Sequence, residues 1–156
     1  MELKTKITAE DGQQDLVITR EFDLPVALLF KAHIEPEIIE QWMGTKVIKF
    51  DAKQHGGWQY ETSDAKGNVV FEAHGTIHDL VDNQKIVRTF EMANAPFGPQ
   101  LEFLEFEKLT DDTSKLSIQI IYRSNALRNQ MLKLPFAQGL NMAHNRLQDI
   151  ATKLKQ

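Results

Sequence analysis

Residues 135–154 read PFAQGLNMAHNRLQDIATKL, and the spacing of side chains in this stretch decides the fold. Phe136, Leu140, His144, Leu147, Ala151 and Leu154 recur at steps of three and four residues, which stacks them on one side of an α-helix about five turns long. Pro135 suits the first helical position, where its missing N–H costs no hydrogen bond. A short turn over Asn125 to Lys133 leads into it. A long helix with a single apolar stripe has to lay that stripe on another layer.

The chain before it supplies that layer. Ile48, Phe50 and Ala52 alternate, His55-Gly56-Gly57 turns, and Trp58, Tyr60 and Thr62 alternate again. Residues 63–68 (SDAKGN) form a hairpin loop, after which Val69, Phe71, Ala73, Gly75 and Ile77 mark one face of a long strand. Beyond the turn at Val81-Asp82-Asn83-Gln84, Ile86, Arg88, Phe90 and Met92 share a face. A Pro/Gly loop over Asn94 to Pro99 follows. In the next strand Leu101 and Phe103 fall on one face, but Leu104 and Phe106 on the other. One inserted residue flips the facing of everything after it, so a bulge is expected near Phe103. Asp111-Asp112-Thr113 then turns into Leu116, Ile118, Ile120 and Tyr122. Upstream, Leu16, Ile18, Arg20 and Phe22 alternate as a first strand. Asp23 stands as a possible cap before Pro25, and Glu35-Pro36 opens a second helix that Gly44 closes.

The order is strand, two short helices, six strands, long helix. It reads as an α+β fold in which a curved antiparallel sheet of about seven strands wraps the C-terminal helix. One domain spans residues 1–156, with its core over 15–154. The length of 156 residues is enough to bury a sizeable core, and the balance of 42% hydrophobic and 26% charged residues is that of a globular chain. There is no cysteine, which excludes disulfides and thiolate chemistry. The N-terminus lacks a signal-peptide core and no apolar run approaches a membrane span, so a cytoplasmic protein is expected. The net charge of −4 argues against a nucleic-acid binder. Between Asn125 and Gln156, Arg128, Lys133, Arg146, Lys153 and Lys155 stand against a single acid, Asp149. This reads as a basic helix laid on an acidic sheet.

A twisted sheet gripping a straight helix packs well at the middle and leaves gaps at the ends, where small-molecule pockets form. Strand parity puts Trp58, Tyr60, Phe71, Phe90, Phe103 and Tyr122 on the inner face, opposite Phe136, Leu140 and His144. Arg20 and Arg88 share those faces. A buried charge needs a partner. Either a ligand carboxylate or carbonyl meets Arg88 and Tyr122, or the arginine heads reach water or a surface acid.

Ile18-Thr19-Arg20-Glu21-Phe22, Pro25, Glu35-Pro36 leading to Gln41-Trp42-Met43-Gly44, Gly56-Gly57-Trp58, Gly75-Thr76 and the last helix with Gly139 together resemble the activator of heat-shock protein 90 ATPase homologue-like family. The likeness runs from about Asp15 to Leu154. It implies the helix-grip, or START-like, fold of polyketide cyclases, plant pathogenesis-related proteins and lipid-transfer domains. Members of that superfamily bind hydrophobic ligands between sheet and helix, and a minority are enzymes. The resemblance places Trp42 at the end of the second short helix, beside the cavity mouth. It carries no catalytic motif.

Other chemistries fare worse. His33, His55, His74, His78 and His144 are scattered, and His74 and His78, four residues apart on a strand, are separated by about 13 Å, too far to share a zinc ion. Glu105 and Glu107 alternate along a strand as a solvated face does. His144 is a candidate general base, though a lone helical histidine beside an apolar stripe is more often structural. The expected function is binding of a small hydrophobic or amphipathic molecule through Trp42, Trp58, Tyr60, Phe71, Arg88, Phe90, Phe103, Tyr122, Phe136, Leu140 and His144, with no cofactor. A protein-interaction module stimulating a heat-shock protein 90 type ATPase, with a chaperone as partner, is the second reading. A cyclase or hydrolase using His144 or Arg88 is the third.

Overall fold

A computed structural model describes residues 3–155. Strand β1 (Lys6–Thr8) and strand β2 (Asp15–Phe22) are followed by helices α1 (Val26–Ile34) and α2 (Pro36–Met43). Then come β3 (Lys46–Phe50), β4 (Gly57–Ser63), β5 (Val69–Val81), β6 (Lys85–Met92), β7 (Gln100–Lys108) and β8 (Ser114–Ile121). Helices α3 (Asn125–Leu132) and α4 (Phe136–Thr152) close the chain. The strands form one antiparallel sheet in the order β1-β2-β8-β7-β6-β5-β4-β3. Six consecutive strands make the meander, and β2 returns to pair with the last of them. Leu16 faces Ile120 and Ile18 faces Ile118 across that closure.

Local chemistry explains most boundaries. Pro36 opens α2 at its first position, and Gly44 ends it in the left-handed conformation, φ 65°. Asn83 and Asn94 take positive φ in the two turns that bound β6. Asp64 caps its own hairpin by accepting from the backbone N–H groups of Lys66 and Asn68 at 2.8 and 2.9 Å.

The structure departs from the sequence reading in five places. The sheet has an eighth strand, β1, too short to show a period. Residues 125–132 form a helix rather than a turn, because Ser124 Oγ accepts from Leu127 N–H at 3.1 Å and caps it. Asp23 does not cap α1; its backbone N–H and C=O bind the Gln148 side chain instead. Strand β7 pairs with both neighbours without interruption, so there is no bulge at Phe103. The irregularity near this part of the sheet lies in β5, where His78 is the extra residue between Ile77 and Asp79. Finally, Leu154 is exposed beyond the end of α4.

The core lies between the concave sheet face and the helices. Leu16, Ile18, Phe22, Leu104, Phe106, Leu116, Ile118 and Ile120 come from the sheet; Leu29, Phe30, Ile39, Leu147 and Ala151 come from the helices. Each large side chain buried there contributes roughly 1.5–3 kcal/mol. Helix α4 packs chiefly on α2, and its only buried residues are His144, Leu147 and Ala151, all in its second half. The basic side chains of the C-terminal segment meet backbone oxygens more than acids. Arg146 Nε donates to Trp42 O at 3.0 Å, Arg128 Nη1 donates to Glu10 O and Asp15 O, and Lys155 stands 3.8 Å from Asp23.

Candidate functional site

Because α4 rests on α2, its first half stands off the sheet and a cavity of about 530 Å³ remains between them. Its lining is mostly apolar: Ile18, Ile39, Met43, Phe90, Met92, Leu104, Ile118, Ile120, Met131, Phe136, Leu140 and Ala143. Leu134 also lines it and is 48% exposed, which puts the mouth at the α3–α4 junction.

One end of the cavity is polar. Arg88 on β6 stands directly across from Glu102 on β7. Its Nε donates to Glu102 Oε1 at 2.9 Å, with the two side chains 14% and 7% exposed. Gln100 Nε2 donates to the other carboxylate oxygen at 2.9 Å. The guanidinium lies 4.9 Å over the Trp58 ring, a cation–π contact. Burial alone would lower the Arg88 pKa, but the Glu102 carboxylate and the Tyr60 hydroxyl beside it raise it, so the ion pair is held. Burial raises the Tyr60 phenol. Tyr122 lines the same end at 2% exposure, and its hydroxyl has no hydrogen-bond partner among the described residues.

The helical side is aromatic and carries two imidazoles. Trp42 lies between them, its ring 5.3 Å from His33 and 6.2 Å from His144, and its Nε1 donates to Ala32 O at 2.8 Å. His33 Nδ1 is 2.8 Å from Leu29 O, the carbonyl one turn back. His144 Nδ1 is 2.7 Å from Thr5 Oγ1, which ties the N-terminal segment to α4. Burial lowers the His33 pKa to about 4, with Arg88 adding to the effect against the Leu29 hydrogen bond. Burial lowers His144 to about 3, with His33 and Arg20 adding to it. Both rings are therefore neutral at pH 7. A base that weak is poorly matched to proton abstraction near neutrality. Arg20 stays outside the cavity: it is buried against α4, where Nη1 donates to Asn145 Oδ1 at 2.7 Å, and its charge lies 5.0 Å from the Phe22 ring.

Of the side chains expected at the site, Trp42, Tyr60, Arg88, Phe90, Tyr122, Phe136, Leu140 and His144 meet around this cavity. Trp42 lines it and is 6% exposed. Trp58 sits behind the lining, 4.7 Å from Tyr60 and 5.5 Å from Phe90. Phe71 packs on the core away from it. Phe103 has the opposite facing. It alternates with the buried Glu102 and Leu104 and points to the outer side of the sheet. Glu102, Gln100 and His33 are the polar groups that the sequence reading missed. The unbroken parity Gln100, Glu102, Leu104, Phe106 puts the first two on the face of Leu104 and Phe106, and the pairing of β6 with β7 sets Glu102 opposite Arg88. Glu105 and Glu107 are exposed, without any bulge to turn them. Among the described residues no three metal-ligating side chains converge.

An antiparallel sheet bent around a C-terminal helix, with an apolar cavity between the two, defines a START-like protein. The sequence profile described as "Activator of Hsp90 ATPase homolog 1-like protein" matches residues 23–152, and the chain belongs to that family. No curated protein shows significant similarity to it. Solved structures share the fold. A Mycobacterium smegmatis protein superposes with a TM-score of 0.83 at 18% identity, over 94% of this chain and 96% of its own. A Rhodobacter sphaeroides protein gives 0.86 at 14%, over 96% and 99%. An Arthrobacter aurescens protein gives 0.83 at 14%, over 95% and 91%.

Proposed function

We propose that this protein binds a small hydrophobic or amphipathic molecule in the cavity between the sheet and α4, without chemical conversion. One observation carries the reading: about 530 Å³ of space lined mainly by apolar side chains, reaching the surface beside exposed Leu134. Close-packed interiors leave few voids larger than a water molecule, so a space of this size calls for an occupant. Trp42, Tyr60, Arg88, Phe90, Tyr122, Phe136, Leu140 and His144 would contact the guest. The family's known tendency to bind hydrophobic ligands supports the same reading.

The test pairs native mass spectrometry of protein purified from its own host with a cavity-filling variant. Ala143 lines the cavity from α4 and is half-buried, so Ala143→Phe places a ring in the space. The expected result is a co-purifying small molecule in the native protein and its loss from a folded Ala143→Phe protein. Absence of any adduct, with no saturable response to a panel of lipids and aromatic compounds, would remove the reading.

A further inference from the structure

The two polar features at the inner end of the cavity differ in one respect, and that difference selects the guest. Arg88 already has its counter-charge. Its Nε is bonded to Glu102 at 2.9 Å, its charge is matched by that carboxylate, and Gln100 holds the other oxygen at 2.9 Å. The other basic side chains of the lining, His33 and His144, are both neutral at pH 7. No uncompensated cation therefore faces the cavity among the described residues. An entering carboxylate would lose its hydration, meet no counter-charge, and lie beside the Glu102 anion.

Tyr122 is the reverse case. Its ring is carried at the end of β8 on the inward parity of Ile118 and Ile120, it is 2% exposed, and its hydroxyl is buried with no partner. Leaving a buried hydroxyl unbonded is costly, and native structures rarely do so without a reason. Burial first, and the nearby Glu102 charge second, raise the Tyr122 pKa, so the group is a phenol and keeps its proton to donate. A guest occupying this end would supply what the protein does not.

We infer that the cavity takes an uncharged guest whose carbonyl-type oxygen accepts a hydrogen bond from Tyr122 Oη, and that it discriminates against carboxylates. This rests on the proposed binding function and adds the chemistry of the guest. Three naphthalenes of nearly equal shape separate the elements of the claim: 2-acetylnaphthalene, 2-isopropenylnaphthalene and 2-naphthoate. They present a ketone, the same outline with CH₂ in place of the oxygen, and an anion.

Calorimetric titration of the wild type and Tyr122→Phe with each compound at pH 7.5 is the test. The hydrocarbon should bind both proteins within about twofold. The ketone should lose roughly five- to tenfold in Tyr122→Phe, the worth of one hydrogen bond whose loss strands no second group. The infrared C=O stretch of the bound ketone should shift to higher wavenumber in that variant. Naphthoate should bind the wild type at least tenfold more weakly than the ketone. Hydrocarbon binding with no difference between the two proteins toward the ketone overturns the role of Tyr122 while leaving the cavity function intact. Naphthoate binding as tightly as the ketone overturns the charge discrimination. Binding of none of the three removes the cavity function itself, and this inference with it.

Discussion

Glu102 governs the polar end of the cavity. Its carboxylate is 7% exposed and tolerated there because Arg88 and Gln100 each hold one oxygen. Removing one member of a desolvated pair strands the other charge, which costs more than the pair itself contributes. Glu102→Ala is therefore expected to lower the unfolding free energy by about 3–5 kcal/mol in urea titration. Arg88→Met combined with Glu102→Leu should cost far less, since it removes both desolvation penalties together. A loss below about 1 kcal/mol for the single variant would mean that water reaches the pair and screens it. The same pair explains the misread facing of β7. Leu101 and Phe103 are the more apolar set, yet they lie outside, because a mutually neutralised Arg88 and Glu102 can occupy the inner face.

Two glycines make opposite predictions at the scale of elements. Gly75 in β5 lies so close to β6 that an added Cβ would run into Thr89 O and stand 2.8 Å from Trp58 Nε1. Thr76 N–H bonds the Thr89 hydroxyl at 3.0 Å at this point. A backbone carbonyl in a sheet cannot step aside without opening the ladder. Gly75→Ala should thus destabilise by roughly 1–3 kcal/mol or more, read as a lowered urea midpoint. Gly139 lies within α4 and an added Cβ there meets nothing within 4 Å. Gly139→Ala should stabilise by about 0.5–1 kcal/mol, because alanine loses less backbone entropy in a helix. The position of α4 also decides the cavity. Arg146, by holding Trp42 O at 3.0 Å, fastens the helix to α2 rather than to the sheet.

For the molecule as a whole, the buried imidazoles set the acid limit of stability. His33 and His144 titrate at about 4 and about 3 in the folded protein, against about 6.5 when unfolded. Between those values the unfolded chain binds more protons, so stability rises with pH and is fully present above about 6.5. On acidification it is lost at up to about 1.4 kcal/mol per pH unit for each histidine, until the folded pKa is reached. Arg20 and Arg88, whose charges lie near these rings, oppose their protonation in the fold. Urea titrations at pH 7.5, 6.0 and 5.0 should show this slope, and His144→Gln should remove one histidine's share of it. A stability unchanged from pH 7.5 to 5.0 would show that the imidazoles are solvated.

Period and punctuation in the chain determined the elements and their order, except the three-residue β1 and the helix α3. Two-residue alternation marked the strands, three- and four-residue recurrence marked α4, and Pro25, Pro36 and Gly44 bounded the short helices. These signals are local, since each depends on a side chain's direction relative to its own backbone. The tertiary structure alone decided which face of β7 is inside, because Glu102 is acceptable there only when Arg88 on the next strand neutralises it. It also decided that α4 leans on α2 and leaves room at one end, and that Tyr122 is left unbonded while Arg88 is not. Those outcomes depend on distances between residues far apart in sequence, and no periodicity within a single element encodes them.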